Sequence, residues 1–315
     1  MDSSDYASHS RSLFPSFPTF LDNKRLQFIQ KIDESKFPVY LIQDTRTQKL
    51  QVIKLFPWNE EKDVPCLCFQ KEVRFAKINH PNLVFIHTHK IEQETYLDDI
   101  QRVSYIIMDY AKNGDLFDIL MTAKIPFDDQ LIRTYFHQIV AGLEVIHNRG
   151  AAHLDLKLEN FLLDENFTLK ITDFDLSYTP EDKRVTGKGT VNYRAPEIIE
   201  GCCKDPQAAD IYSAGIALFL LKTGGKLPFK ERSLYHGVDM KALLETNTKE
   251  FWKKQCEFLG KESSFFSEEF KRLFIWMTQQ YSCKRPTISQ IKTSLWYCEE
   301  TYSKDELYRF MSARI

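Results

Sequence analysis

The sequence predicts an α+β fold in which a β-rich first third precedes a larger, helical remainder. Three observations carry this. Leu50-Gln51-Val52-Ile53-Lys54-Leu55-Phe56 and the stretch SYIIMDY, Ser104 to Tyr110, are apolar runs of strand length. Leu131, Ile132, Tyr135, Phe136, Ile139, Val140, Leu143 and Ile146 recur at helical spacing. Ala209 to Lys222 forms a second, more uniformly apolar helix. Strands followed by helices argue a two-lobed α+β arrangement, and ligands favour the cleft of such folds.

Each element has a local reason. Residues 1–24, with Ser, Asp and FPSFP, read as a mobile tail. Leu26 to Phe56 read as strands, the last holding one buried lysine, Lys54. Residues 66–79 read as a helix closed by the turn His80-Pro81-Asn82. Asp128 or Asp129 caps the long helix, which stops near Asn148-Arg149-Gly150. Two short strands, Phe161–Leu163 and Leu169–Thr172, follow it, and Gly224-Gly225 ends the second helix. Leu307, Phe310 and Met311 share one face of a final helix. That face reads as packing on the helical lobe, with a regulatory or partner helix as the alternative. The expected organisation is a tail over 1–24, a domain over 25–295 split near residues 109 and 110, and an extension over 296–315.

Composition narrows the function. Of 315 residues, 43% are hydrophobic and 27% charged, the balance of a globular chain able to bury a large core. A net charge of -2 gives no global pull toward nucleic acid or anionic membrane. Seven cysteines without a CxxC pair indicate neither a disulfide framework nor a zinc ribbon. MDSSDYASHSRS lacks the apolar stretch of a signal peptide, and the longest apolar run, Ala214 to Leu221, is too short to cross a bilayer. Residue 2 is Asp and the last residues form no CaaX box, so no simple lipidation signal is expected. The expectation is a cytoplasmic monomer that binds neither nucleic acid nor membrane.

The chemistry concentrates in His153-Leu154-Asp155-Leu156-Lys157-Leu158-Glu159-Asn160, a polar-rich loop between a long helix and a short strand. This segment resembles the catalytic loop H-R-D-L-K-x-x-N of eukaryotic protein kinases, with Leu154 in place of arginine. The companions follow in the family's order. Val52-Ile53-Lys54 resembles the lysine motif of the third strand, and Glu72 falls where the ion-pair glutamate is expected. Asp173-Phe174 resembles the metal-binding segment and Ala195-Pro196-Glu197 the close of the activation segment. Asp210 to Gly215 resembles D-x-W-S-x-G, and Arg285 stands where the family's arginine pairs with the APE glutamate. The lysine in DLKLEN is similar to the Ser/Thr type, and Asp115 with Glu159 to the calmodulin-kinase-like group.

The resemblance implies roles, residue by residue. Lys54, oriented by Glu72, would hold the α- and β-phosphates of ATP. Asn160 and Asp173 would bind Mg²⁺, or Mn²⁺. Asp155 would take or orient the proton of the attacking hydroxyl, and Lys157 would neutralise the moving γ-phosphate. Val39, Val52 and Leu162 would sandwich the adenine. Met108 aligns with the gatekeeper, Asp109 to Ala111 with the hinge, and Asp115 with the ribose-binding acid. The implied function is transfer of the ATP γ-phosphoryl to a Ser or Thr hydroxyl of a protein substrate with an upstream basic residue. The alternative is a pseudokinase acting as a scaffold or allosteric binding module with weak or no ATP binding.

Three positions depart from the family. The G-x-G-x-x-G positions are Ile32, Glu34 and Phe37, and the first glycine of the chain is Gly114. Glycine lets backbone N–H groups approach phosphates closely, and Pro38 removes a donor, so weaker ATP binding is expected. Leu154 removes the arginine that clamps an activation-segment phosphate, leaving Thr186, the aligned phosphosite, with less leverage. Asp175 replaces the glycine of Asp-Phe-Gly. At an effective dielectric of ~20 and a spacing of ~7 Å, its repulsion with Asp173 is on the order of 2 kcal/mol. A divalent metal would attract Asp175 while the ATP phosphates repel it. Aspartate also tolerates the left-handed backbone that glycine would otherwise supply.

Overall fold

The computed structural model describes residues 20–21, 25–33, 36–94, 102–123, 126–185, 189–229 and 237–314. The chain divides into two units. One takes the residues up to Cys66 together with Thr88–Asp109, the other Leu67–His87 and Tyr110 onward.

The first unit is built on an antiparallel sheet. Its strands are β1 (Phe20–Leu21), β2 (Leu26–Asp33), β3 (Val39–Asp44), β4 (Leu50–Asn59), β5 (Val64–Pro65), β6 (Ile86–Glu94) and β7 (Arg102–Asp109). They run in the order β1-β2-β3-β4-β7-β6, with β5 pairing β4. The period of two sorts the side chains. Tyr40, Ile42, Ile53, Leu55, Tyr105 and Ile107 turn to one face and, with Leu26, form a hydrophobic core. The register pairs Val39 with Lys54 and Lys54 with Ile106, and Leu41 with Val52 and Val52 with Met108. The alternate face therefore carries Val39, Val52, Lys54, Phe56 and Met108 together. Lys54, the one charged member of that row, is only 7% exposed.

The second unit opens with α1 (Leu67–Val73). The helix expected over 66–79 is thus shorter. Past Val73 the backbone bonds reach back three residues instead of four, from Arg74, Phe75 and Ala76 to Lys71, Glu72 and Val73. Lys77 then takes a φ of 65°, which ends any helix. Three-residue bonding lets the chain turn into β6 within a few residues.

α2 (Leu116–Thr122) and α3 (Asp129–His147) come next, the latter capped by the Asp128 carboxylate, which accepts from Leu131 N. The periodic residues expected of α3 are all buried in the unit's core. Gly142 allows a close approach on this helix: a Cβ there would stand 2.8 Å from Ile171 Cδ1 and 2.9 Å from Asn82 O. β8 (Phe161–Leu163) and β9 (Leu169–Ile171) form a two-stranded ribbon against it.

After α4 (Pro196–Ile199), α5 (Pro206–Thr223) runs almost wholly buried from Ala208 to Leu221. It starts about one turn before the expected Ala209, because Asp205 caps it and Pro206 takes the first turn. α6 (Met240–Thr246), α7 (Thr248–Leu259), α8 (Glu268–Met277) and α9 (Ile288–Lys292) complete the helical body. α10 (Lys304–Ser312) carries a capping box of Ser303 and Glu306 and buries Leu307 and Met311 in the same core. Arg133 on α3 ties the preceding segment down, donating from Nε to Trp296 O at 2.7 Å and from Nη1 to Glu300 O at 2.7 Å. No helix among the described residues is long and apolar enough to cross a membrane.

Candidate active site

The loop after α3 hangs from α5. The fully buried carboxylate of Asp210 accepts from the backbone N–H groups of His153 and Leu154, both at 2.8 Å, and stands 2.9 Å from His147 Nε2. Leu154 takes a φ of 65°, a strained conformation for a leucine, and the two bonds to Asp210 hold it there. The strain reverses the chain so that Asp155 follows at once. Asp155 N donates to His153 Nδ1 at 3.2 Å, which makes Nδ1 the acceptor and leaves Nε2–H to donate to Thr172 O at 2.8 Å. One histidine thereby links the loop to the segment holding Asp173.

Asp155 is gripped at every oxygen. Thr190 Oγ1 donates to Oδ1 at 2.7 Å, Lys157 Nζ stands 3.1 Å from Oδ2, and Asn160 Nδ2 donates to the backbone carbonyl at 2.8 Å. Burial works against the charge of Lys157, but the carboxylates of Asp155 and Asp173 outweigh it and hold the ammonium above the ordinary lysine range. Lys157 therefore stays protonated at neutral pH.

Asn160 and Asp173 are brought side by side in the chain path, since Thr172 N donates to Asn160 O at 3.1 Å. With Nδ2 engaged by Asp155, Asn160 presents its amide oxygen. An amide oxygen and a carboxylate are the hard donors that Mg²⁺ accepts, a few from protein and the rest from substrate phosphates and water. Among the described residues no group of three or more His, Cys, Asp or Glu side chains could hold a metal ion alone. The residues present fit a metal that arrives with phosphate. Of the two aspartates in ITDFDLS, it is Asp173 that takes the left-handed backbone, at φ 68°. Asp175 is not among the positive-φ residues, so glycine's conformational freedom is not what this position requires. Phe174 stacks on Phe75, with centroids 4.3 Å apart, and the buried Asp175 follows it.

The segment beyond is held from α1 and the turn after it. Lys71 Nζ donates to Ser177 O at 2.7 Å. Arg74 Nη1 donates to Thr179 Oγ1 at 2.6 Å and pairs with Asp182 at 3.0 Å. Burial pushes the Asp182 carboxyl up, but the Thr179 N–H and the Arg74 guanidinium outweigh it and set it below the ordinary range. The sequence did not point to these groups. Lys71 and Arg74 flank Glu72 and hold this stretch of the segment without any contribution from position 154. Thr186, the aligned phosphosite, and Glu34 lie outside the described residues. Farther on, Arg194 donates to Gly189 O, and Arg285 forms a two-pronged pair with Glu197 at 2.6 and 2.7 Å, as the motif order anticipated.

The remaining candidates fall in both units. Val39, Val52, Lys54, Met108 and Asp109 belong to the first, where Asp109 stands 3.4 Å from Lys49 Nζ. Glu72, only 1% exposed on α1, Ala111, Asp115 and Leu162 belong to the second. There Asp115 and Leu162 form a β-bridge, and Asp115 caps α2 by accepting from Asp118 N at 2.9 Å. Burial raises the Asp115 carboxyl above its ordinary value. Glu159 is exposed, and beside it Leu158 N donates to Tyr193 Oη at 3.3 Å.

Comparison with known proteins agrees with this geometry. CBL-interacting protein kinase 26 of Oryza sativa subsp. japonica is 38% identical over 198 residues, covering 61% of this chain and 37% of the relative. CBL-interacting protein kinase 9 of the same organism is 31% identical over 283 residues, covering 87% of this chain and 56% of the relative. CBL-interacting serine/threonine-protein kinase 2 of Arabidopsis thaliana is 33% identical over 239 residues, covering 74% and 46%. The chain thus spans between about a third and a little over half of the length of these relatives. Residues 35–297 match the model of the protein kinase domain, from β3 through α9. With its β-rich first unit, its helical second unit and the Asp155 loop hung from α5, the chain belongs to the protein kinase domain family.

Proposed function

We propose that this protein is an ATP-dependent Ser/Thr protein kinase. The observation that carries the reading is the Asp155 carboxylate held between the Thr190 hydroxyl and the Lys157 ammonium. A carboxylate so fixed has lone pairs left to receive the proton of a substrate hydroxyl. In the step, the hydroxyl oxygen bonds to the γ-phosphorus, the bond to the β,γ-bridging oxygen breaks, and ADP leaves with that electron pair. Asp155 takes the proton, and Lys157 balances charge on the moving phosphoryl group. Lys54 and Glu72 keep the roles set out from the sequence, and Val39, Val52, Met108, Asp109, Ala111, Asp115 and Leu162 the nucleotide contacts. Asn160 and Asp173 would hold Mg²⁺ or Mn²⁺, which when bound neutralises charge on the phosphates. The relatives' names as protein kinases support the same activity.

Asp115 and Glu159 favour a protein substrate with a basic residue upstream of the phosphorylated hydroxyl. A positional-scanning peptide set should show that preference, and a flat profile would remove it. We place the protein in the cytoplasm as a monomer, in keeping with cysteines that are all free.

The second reading, a scaffold without catalysis, is favoured by one observation: Ile32, Glu34 and Phe37 stand where glycines are expected. A thermal-shift titration separates the two, because a ligand that binds the folded state raises its melting temperature by mass action. Catalysis requires a shift with ATP that grows when Mg²⁺ or Mn²⁺ is added and shrinks in Asp173→Asn. No shift at millimolar nucleotide with metal would favour the scaffold.

A further inference from the structure

Phe37 occupies the place of the third glycine, and its ring lies against Lys54. The pairing of β3 with β4 continues past the start of β3, as Leu55 N donates to Pro38 O at 3.0 Å. This extra rung brings Phe37 to Phe56, with ring centroids 4.8 Å apart and planes at 44°. Phe37 is buried as a result, at 6% exposure. Lys54 and Phe56 alternate onto the same face of β4, so the lysine head reaches the same pair of rings. Lys54 Nζ stands 5.6 Å from the Phe37 centroid and 5.2 Å from that of Phe56. Lys36 Nζ lies over the Phe37 ring as well, at 4.7 Å. Each distance is within the range where an ammonium is drawn to an aromatic face.

We propose that Phe37 sets the nucleotide affinity of this protein by competing with phosphate for the Lys54 ammonium. The inference rests on the reading of Lys54 as a phosphate-binding group. A phosphate oxygen must come within about 3 Å of Nζ to accept its hydrogen bond. The Phe37 ring draws on the same charge and fills space beside it, whereas glycine at this position would do neither. Phosphate binding therefore has to displace the ring from Lys54, and the free energy of that contact is subtracted from nucleotide affinity. Phe56 stays in place, because it is fully buried in the strand. Phe37 thus acts through Lys54, as a positioning residue.

The test uses the full chain with Phe37→Gly, Phe37→Leu and Phe37→Tyr. Mg-ATP affinity is measured by calorimetry, and the acetylation rate of Lys54 by an amine-reactive ester read by peptide mass spectrometry. Phe37→Gly should bind Mg-ATP about threefold to tenfold more tightly and acetylate Lys54 several-fold faster. Phe37→Leu, which keeps bulk without the aromatic face, should fall between it and the wild type. Phe37→Tyr should restore wild-type values on both. In turnover, the KM for ATP should fall by a larger factor than kcat changes, which a purely structural loss would not produce. Melting temperatures without nucleotide report the packing loss separately. Binding by Phe37→Gly where the wild type shows none would also support the role. Wild type and both Phe37→Gly and Phe37→Leu binding Mg-ATP equally, or the variants binding more weakly, would overturn it and leave the kinase reading intact. Absence of binding in all four proteins would overturn both.

Discussion

Thr190 donates its hydroxyl hydrogen to Asp155 Oδ1 at 2.7 Å, while Lys157 takes Oδ2 at 3.1 Å. Two donors on different oxygens fix the rotation of the carboxylate. Removing the hydroxyl leaves the group free to turn, and misplacement of the proposed catalytic base would be costly. Thr190→Ala should lower kcat about tenfold to a hundredfold with the KM for ATP changed much less. Thr190→Ser, which keeps the donor, should retain most of the rate. Steady-state kinetics on both variants checks this.

Lys157 brings a pH expectation. Its folded-state pKa is raised, so the stability it contributes is complete below the ordinary lysine value and is lost as pH rises through the folded value. The Asp155–Lys157 pair should therefore persist throughout neutral and mildly alkaline pH. A pH–rate profile from about pH 6 to 9 should show no alkaline limb that disappears in Lys157→Arg.

The anchoring of Ser177–Asp182 by Lys71 and Arg74 predicts a segment ordered without phosphate. Asp182 has its folded pKa lowered, so its contribution is present above the ordinary carboxylate range and is lost only as pH falls through the lower folded value. Amide protection of residues 177–182, corrected for intrinsic exchange, should be flat from about pH 5 to 9. It should drop in Arg74→Ala, with activity falling several-fold. Thr186→Ala should leave the rate nearly unchanged, and a collapse in that variant would show that phosphate is needed after all.

Gly189 should tolerate no side chain. Its φ is 63°, and a Cβ would stand 2.4 Å from Leu154 O, a backbone atom of the strained turn before Asp155. Gly189→Ala should cost on the order of 2 kcal/mol and at least about tenfold in kcat, because relief of the clash moves Leu154 and Asp155 together. Denaturant midpoints and turnover measured on one preparation test both effects.

Arg285 is fully buried in its pair with Glu197, which is itself only 11% exposed. Removing one member strands the other charge in the interior, at a cost of about 3–5 kcal/mol. Arg285→Ala should lower the urea midpoint accordingly, and Arg285→Lys should recover only part of it, since lysine cannot reproduce the two-pronged geometry.

How much of this was legible in the sequence follows from the range of each interaction. The apolar run Leu50–Phe56 already marked a strand with Lys54 buried in it, and Asp128 announced the start of α3, because both signals are local. The motif order anticipated the Arg285–Glu197 pair across the helical unit. The roles of Lys71 and Arg74 were invisible, because their partners lie more than a hundred residues away and no local pattern encodes them. The early end of α1 was missed for a similar reason: its apolar spacing continues while the backbone bonding tightens. The left-handed residue in ITDFDLS was expected where glycine had been replaced, but the chain bends at Asp173, a conformation that residue type alone does not reveal.

Asp155, as the proposed proton acceptor, is the residue on which phosphoryl transfer would depend most. Its most direct test measures transfer from γ-labelled Mg-ATP to serine peptides with an upstream arginine, by wild type and Asp155→Asn, with the Mg-ATP affinity of each. The wild type should transfer phosphate and the variant should lose about 10²–10⁴-fold, at affinities within about threefold of each other. A wild type that binds Mg-ATP without transferring phosphate to peptide or protein, or a variant as active as the wild type, would contradict it.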